Sequence, residues 1–114
     1  LLKMQEPQKA VKVLEKAKKM HSQDPDVLLN LSIAYEQSEN IEKAIANYKE
    51  TISIAHDCFA AYFNLGKLYL QEDQKDKAIS ILTKCYSQSP DYKTSIEKLG
   101  LWEDVKAKHE SQWI

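Results

Sequence analysis

The sequence predicts an all-α chain built from a repeated pair of antiparallel helices, and three observations carry that expectation. Shifted by 34 residues, the stretch 25–58 matches the stretch 59–92 at nine positions: Asn30/Asn64, Leu31/Leu65, Tyr35/Tyr69, Gln37/Gln71, Lys43/Lys77, Ala44/Ala78, Ile45/Ile79, Ser53/Ser87 and Asp57/Asp91. Average residue usage gives roughly two such matches by chance. Within each copy, apolar residues recur at helical spacing in two runs separated by a polar turn. Strand-type alternation is absent.

Taken in order, residues 7–21, PQKAVKVLEKAKKMH, read as a helix through Ala10, Leu14 and Ala17, with Leu1 and Leu2 as the tail of a helix before it. Residues 1–21 are therefore expected to be a partial unit, and the start without methionine suggests a piece of a longer chain. At 24–26, DPD marks a helix start, with Asp24 as N-cap and Pro25 at the first helical position, where its missing N–H costs nothing. The unit 25–58 then places Leu28, Leu31 and Tyr35 on its first helix and Ile41, Ala44, Ile45, Tyr48 and Ile52 on its second. The unit 59–92 repeats this with Tyr62, Leu65 and Tyr69, followed by Ala78, Ile79, Leu82 and Cys85, and SPD at 89–91 closes it. From 93 to 114 the apolar positions Ile96, Leu99, Trp102, Val105, His109 and Trp113 continue without a second polar turn. One long capping helix is predicted there, docked on the helix of residues 75–88 through Ile96, Leu99 and Trp102.

Leu28-x2-Leu31-Ser32-x2-Tyr35 with Ala44-x3-Tyr48, and Tyr62-x2-Leu65-Gly66-x2-Tyr69 with Ala78-x3-Leu82 and Pro90, resemble the tetratricopeptide repeat (TPR) at its diagnostic length. The resemblance implies a right-handed superhelix of helix pairs. It also addresses Gly66, which sits inside a helix at a cost of about 1 kcal/mol relative to alanine. In the family this place holds the small residue at which the paired helices touch, facing Ala78 here, and Ser32 with Ala44 repeats the device. Departures from the motif are Leu28, Tyr62 and Ile96 where tryptophan is expected, His56 in place of proline, and Glu103 in place of a tyrosine.

With 43% hydrophobic and 29% charged residues, the chain has the composition of a globular protein. Its net charge of −1 conceals an N-terminal excess, because Lys3, Lys9, Lys12, Lys16, Lys18 and Lys19 face only Glu6 and Glu15 within residues 1–20. Lys9, Lys12, Lys16 and Lys19 share one helix face, read as a solvated outer face, with an acidic partner or a phosphate backbone as the alternatives. No apolar run reaches the roughly 20 residues that span a bilayer, and no signal peptide is apparent, so membrane insertion is not expected. Cys58 and Cys85 read as reduced thiols of an intracellular, cytoplasmic protein, Cys85 as a small core residue.

Chemistry is hard to assemble from these residues. Two glycines make no phosphate loop, and His21, His56 and His109 lie roughly a repeat or more apart. His56-Asp57-Cys58 reads as a structural turn, since adjacent turn residues point apart and no second metal-ligand pair accompanies them. Glu36, Glu39, Glu42, Glu72, Asp73 and Asp76 read as solvated carboxylates rather than an acid–base pair. The expectation is no enzyme, no metal and no cofactor.

What remains is binding. The resemblance implies a concave face supplied by the first helix of each unit: Asp26, Leu29, Asn30, Ile33 and Gln37, then Ala60, Phe63, Asn64, Lys67 and Gln71, then Thr94, Lys98 and Leu101. Leu29 and Phe63 would be exposed apolar anchors, and Asn30 and Asn64 equivalent amides for a ligand backbone. The TPR subgroup that grips chaperone C-terminal tails would need its clamp at Leu29, Ile33, Asn64, Thr94 and Lys98; only Asn64 matches, with Lys98 a partial substitute, which argues against that ligand. The expected role is a protein–protein interaction module, a scaffold or adaptor that binds a peptide or helix of a partner and stacks on neighbouring repeats or in an oligomer. Nucleic-acid association through Lys9–Lys19 is disfavoured by the lack of interleaved aromatics. A regulatory or targeting arm of an enzyme is the other alternative.

Overall fold

The computed structural model describes residues 6–112, so the calls on Leu1, Leu2, Lys3 and Trp113 lie outside the described residues. Among those described, seven α-helices follow one another and no strand occurs: α1 (Pro7–Met20), α2 (Pro25–Gln37), α3 (Ile41–Ile54), α4 (Phe59–Gln71), α5 (Lys75–Gln88), α6 (Lys93–Lys98) and α7 (Trp102–Ser111). A 3₁₀ turn, Pro90–Tyr92, precedes α6. The chain forms two compact units that divide between Ala61 and Tyr62.

In the first unit α2 packs against both α1 and α3. Asp24 caps α2 as expected: its side-chain oxygen accepts the Asp26 N–H at 2.9 Å, with Pro25 in the first turn. Leu28, Leu31, Ala34 and Tyr35 of α2 and Ala44, Tyr48 and Thr51 of α3 form the core. Buried hydroxyls on these faces are consumed locally. Ser32 Oγ donates to the Leu28 carbonyl and Thr51 Oγ1 to the Asn47 carbonyl, both at 2.7 Å, so neither needs a partner from the facing helix. Tyr48 donates to Glu36 at 2.7 Å, which takes Glu36 out of the solvated set expected for it. The α1 helix is tied on by polar contacts: Tyr35 O–H donates to Glu15, and Lys18 Nζ reaches Asn47 Oδ1 at 2.9 Å and Glu50 at 3.3 Å.

In the second unit the place of Gly66 is explained by distance. A Cβ built on it would lie 2.6 Å from Cγ and Cδ2 of Leu82 and 3.3 Å from Cγ2 of Ile81, all on α5. Leu82 is fully buried, so its branch has no solvent to swing into. The resemblance pointed to Ala78 as the facing residue; Ala78 is fully buried, but the atoms that press on Gly66 belong to Leu82 and Ile81. Two of the repeated identities have a common use here: Lys43 lies 5.6 Å from the centre of the Tyr35 ring in the first unit, and Lys77 lies 5.7 Å from that of Tyr69 in the second.

The turn within each pair uses a left-handed residue. Glu39 (φ 65°) and Asp73 (φ 58°), one repeat apart, end α2 and α4. Asn40 N–H reaches the Tyr35 carbonyl at 2.8 Å and Gln74 N–H the Tyr69 carbonyl at 2.9 Å. Glu39 N–H reaches Glu36 at 3.1 Å and Asp73 N–H reaches Leu70 at 3.2 Å, completing the paired bonds of a Schellman motif.

The same motif overturns the single capping helix. Gly100 has φ 76°, its N–H bonds the Glu97 carbonyl at 2.9 Å, and Leu101 N–H bonds that of Ile96 at 3.4 Å. The helix therefore stops after Lys98, and α7 starts in a new direction at Trp102. Ile96 and Leu101, both buried, supply the apolar contact that accompanies such a turn. Gly100 is one repeat beyond Gly66 yet serves the opposite purpose, since a Cβ there would meet nothing within 4 Å and only its dihedral matters. Docking on α5 does occur, carried chiefly by α7: Tyr86 meets the rings of Trp102 at 4.9 Å and His109 at 5.1 Å, both edge-on, and Val105 is fully buried.

Gly66→Leu should destabilise the chain by about 1–3 kcal/mol in chemical denaturation through overpacking against Leu82, although leucine is the better helix former. Unchanged or increased stability would remove the close approach as its explanation. Asp73→Gly should do the reverse and raise stability by about 0.5–1 kcal/mol, because glycine relieves the left-handed strain while adding some unfolded-state entropy.

Candidate functional site

On α2 the core uses Leu28, Leu31, Ser32, Ala34 and Tyr35, and the residues between them form the opposite face. Asp26 and Asn30 are exposed there, and Leu29, Ile33 and Gln37 are half-buried. Asp26 and Asn30 are the residues of this face that stand open, with partly covered Leu29 and Ile33 beside them.

The corresponding positions of α4 differ. Phe63 was expected as a free anchor, but it is half-buried, with its ring 5.5 Å from that of Tyr92 and Lys67 Nζ 5.8 Å from its centre. It therefore joins α4 to the 3₁₀ turn. Asn64 is 4% exposed whereas Asn30 is open to solvent, so the two amides do not form an equivalent pair of ligand contacts. Gln71, Thr94 and Lys98 are exposed, while Leu101 is buried in the turn after α6 and is removed from the expected face.

A concavity that the sequence did not announce lies in the first unit. An open groove of about 700 Å³ runs between α1 and α2, with Leu31 and Tyr35 at its α2 side. Lys12, Lys16, Lys18 and Lys19 line it from α1 together with Glu15, and Ser22 follows at the end of the helix. Burial first, then the hydrogen bond and charge of Glu15, push the Tyr35 phenol up to about 12 from its ordinary 10.0. The lysine spacing on α1 was legible. That these lysines border a groove depends on how α2 seats against α1, which no single-helix pattern specifies.

His56, Asp57 and Cys58 occupy a turn, and no group of three metal-ligating side chains occurs among the described residues. Burial pushes the Cys85 thiol up to about 12, which leaves it protonated and inert. No helix among the described residues is long and apolar enough to cross a membrane.

Two family models described as tetratricopeptide repeat match the chain, one over residues 1–65 and one over residues 59–92. Among curated proteins, the BBSome complex member BBS4 of Bos taurus and that of Mus musculus are each 30% identical to it over 93 residues, 81% of this chain. The chain spans 18% of the length of these relatives. Among solved structures, MamA superposes with a TM-score of 0.74 at 22% identity, covering 91% of this chain and 65% of that one, a likeness of fold.

The Tyr35–Glu15 link sets a pH dependence. A phenol whose folded value is raised from 10.0 to about 12 adds stability that is complete below pH 10.0 and is lost as pH rises toward about 12. Alkaline titration followed by tyrosinate absorbance and circular dichroism should show this step, and Tyr35→Phe should remove it. At neutral pH the same change should cost about 1–2 kcal/mol by depriving Glu15 of its donor.

Proposed function

Because the chain belongs to the tetratricopeptide repeat family, we propose that it is a protein–protein interaction module, a scaffold or adaptor segment of a larger assembly. Its fold is one that commonly serves as a non-catalytic interaction scaffold. Each first helix offers its outward face to a peptide or helix of the partner, and the faces are taken helix by helix. Leu29, Asn30, Ile33 and Gln37 act on α2, Phe63, Lys67 and Gln71 on α4, and Lys98 supplies a charge on α6. Asn64, being buried, holds its helix rather than the ligand.

The observation that carries this reading is the division of labour on α2. One face is consumed by the core, and the other presents an exposed amide between half-buried aliphatic residues, with no internal role assigned to Leu29, Asn30 or Ile33. Apolar side chains that are partly covered and held on a rigid helix lose little entropy on binding. Asn30 adds a donor and an acceptor that suit a backbone amide. The two BBS4 relatives are named as members of a complex, which fits a segment whose work is assembly.

A peptide selected from a random-sequence library against the chain provides the test, with affinity read by calorimetry. For peptides that bind the α2 face, Ile33→Ala should weaken binding by about 1–3 kcal/mol and Asn30→Ala by about 1 kcal/mol; for peptides that bind the α4 face, Phe63→Ala should cost about 1–3 kcal/mol. The stability of Phe63→Ala should be measured alongside, because the ring also packs on Tyr92. Selected peptides that bind all three variants as tightly as the parent would rule these faces out.

A further inference from the structure

From the groove between α1 and α2 we infer that the chain carries a second docking surface, separate from the faces just described, for an acidic amphipathic helix of a protein partner. Lys12, Lys16 and Lys19 are exposed at spacings of four and three residues, so their ammonium groups form one row about 10 Å long at 1.5 Å per residue. Lys18 is different, since it is held by Asn47 and Glu50. No side chain among the described residues pairs with the other three. Glu15, the carboxylate within the groove, accepts from Tyr35 and makes no ion pair with the row, so one carboxylate stands against three unpaired cations there.

Charge alone describes a solvated face, and two further features separate this surface from one. It borders a concavity with Leu31 and Tyr35 at its side, so a bound segment has somewhere to seat. Its far edge carries Val13 (66% exposed) and Met20 (77% exposed), the large apolar side chains that stand open among the described residues. Lys16 lies three residues after Val13 and four before Met20, the spacings at which helix side chains are neighbours. A row of cations flanked by apolar groups is complementary to a helix with carboxylates at i, i+4 and i+7 and leucine-like residues beside them. Nucleic acid fits less well. The chain contains no arginine, and the one ring at the groove, Tyr35, is 6% exposed and unable to stack on a base.

The test uses a labelled helical peptide of about 21 residues, long enough to hold a helix, with glutamate at i, i+4 and i+7 and leucine adjacent. Fluorescence anisotropy with the 114-residue chain should show it binding at least about tenfold more tightly than a composition-matched scramble. Lys12→Glu with Lys16→Glu and Lys19→Glu should weaken it by about 30-fold or more and confer binding of the version in which lysine replaces each glutamate. Met20→Ser should weaken binding by about threefold or more, and Phe63→Ala should leave it unchanged, which separates this surface from the α4 face. Circular dichroism checks that the charge-reversed chain is folded. Equal binding of the scramble, tighter binding of a single-stranded oligonucleotide, failure of the charge swap, or loss of binding in Phe63→Ala alone would each overturn the assignment.

Discussion

Two helices joined by a short turn can share a core only if their axes come close, and the second unit meets that constraint at one residue. At Gly66 the backbone of α4 leaves no room for a Cβ, because Leu82 of α5 already fills the space. The loss of helix propensity is about 1 kcal/mol, comparable to a single methylene of burial, while Leu82 in full is worth about 2 kcal/mol or more. Around this point Leu65, Leu68, Ala78 and Cys85 are also buried. In the first unit Ser32 stands at the equivalent place, small and with its hydroxyl returned to its own helix.

Close approach also requires that the chain reverse within three residues, and here the repeat accepts strain. Glu39 and Asp73 adopt left-handed backbones that glycine would take at no cost. The paired hydrogen bonds at each turn satisfy carbonyls that a helix end otherwise leaves open. An acidic side chain at these positions stays in water. The C-terminal segment uses the same turn seven residues earlier relative to the repeat, by placing Gly100 where the preceding unit has its packing glycine. A first-type helix is thereby shortened to α6, and α7 is redirected across α5, where Trp102 and His109 clasp Tyr86.

Much of this was legible in the sequence, because the repeat correlates positions 34 residues apart and the helix period assigns their faces. Asp24, Pro25, most of both cores and the turn at His56–Cys58 follow from spacing and capping chemistry, although Ile41, Ile45, Ile52 and Ile79 of the same apolar runs are only half-buried. The break at Gly100 did not, since an apolar stripe with a glycine in it reads alike whether that glycine relieves a contact or a dihedral. The three-dimensional neighbours decide between the two, and only Gly66 has them. Likewise Asn30 and Asn64 are equivalent in sequence and unequal in exposure. A repeat predicts where a residue sits on its own helix; the neighbours that cover it are set by packing.

That limit bears on binding surfaces more than on cores. A core position must be apolar and is recognised by what it excludes, whereas a docking position is recognised by what the core leaves unused. On α2 the unused face is mixed, aliphatic around an amide, and under the proposed function a segment bound there would be read largely through its backbone. On α1 the unused face is basic beside a groove and beside exposed Val13 and Met20, which suits a segment read through charge and apolar contact together. Exposed ion pairs are worth little singly and are screened at physiological salt, so the lysine row can set orientation and encounter rate but not hold a partner alone. In the complex proposed for α1, apolar contact beside the charges would have to supply the lifetime, and α1 carries both kinds of group on one helix.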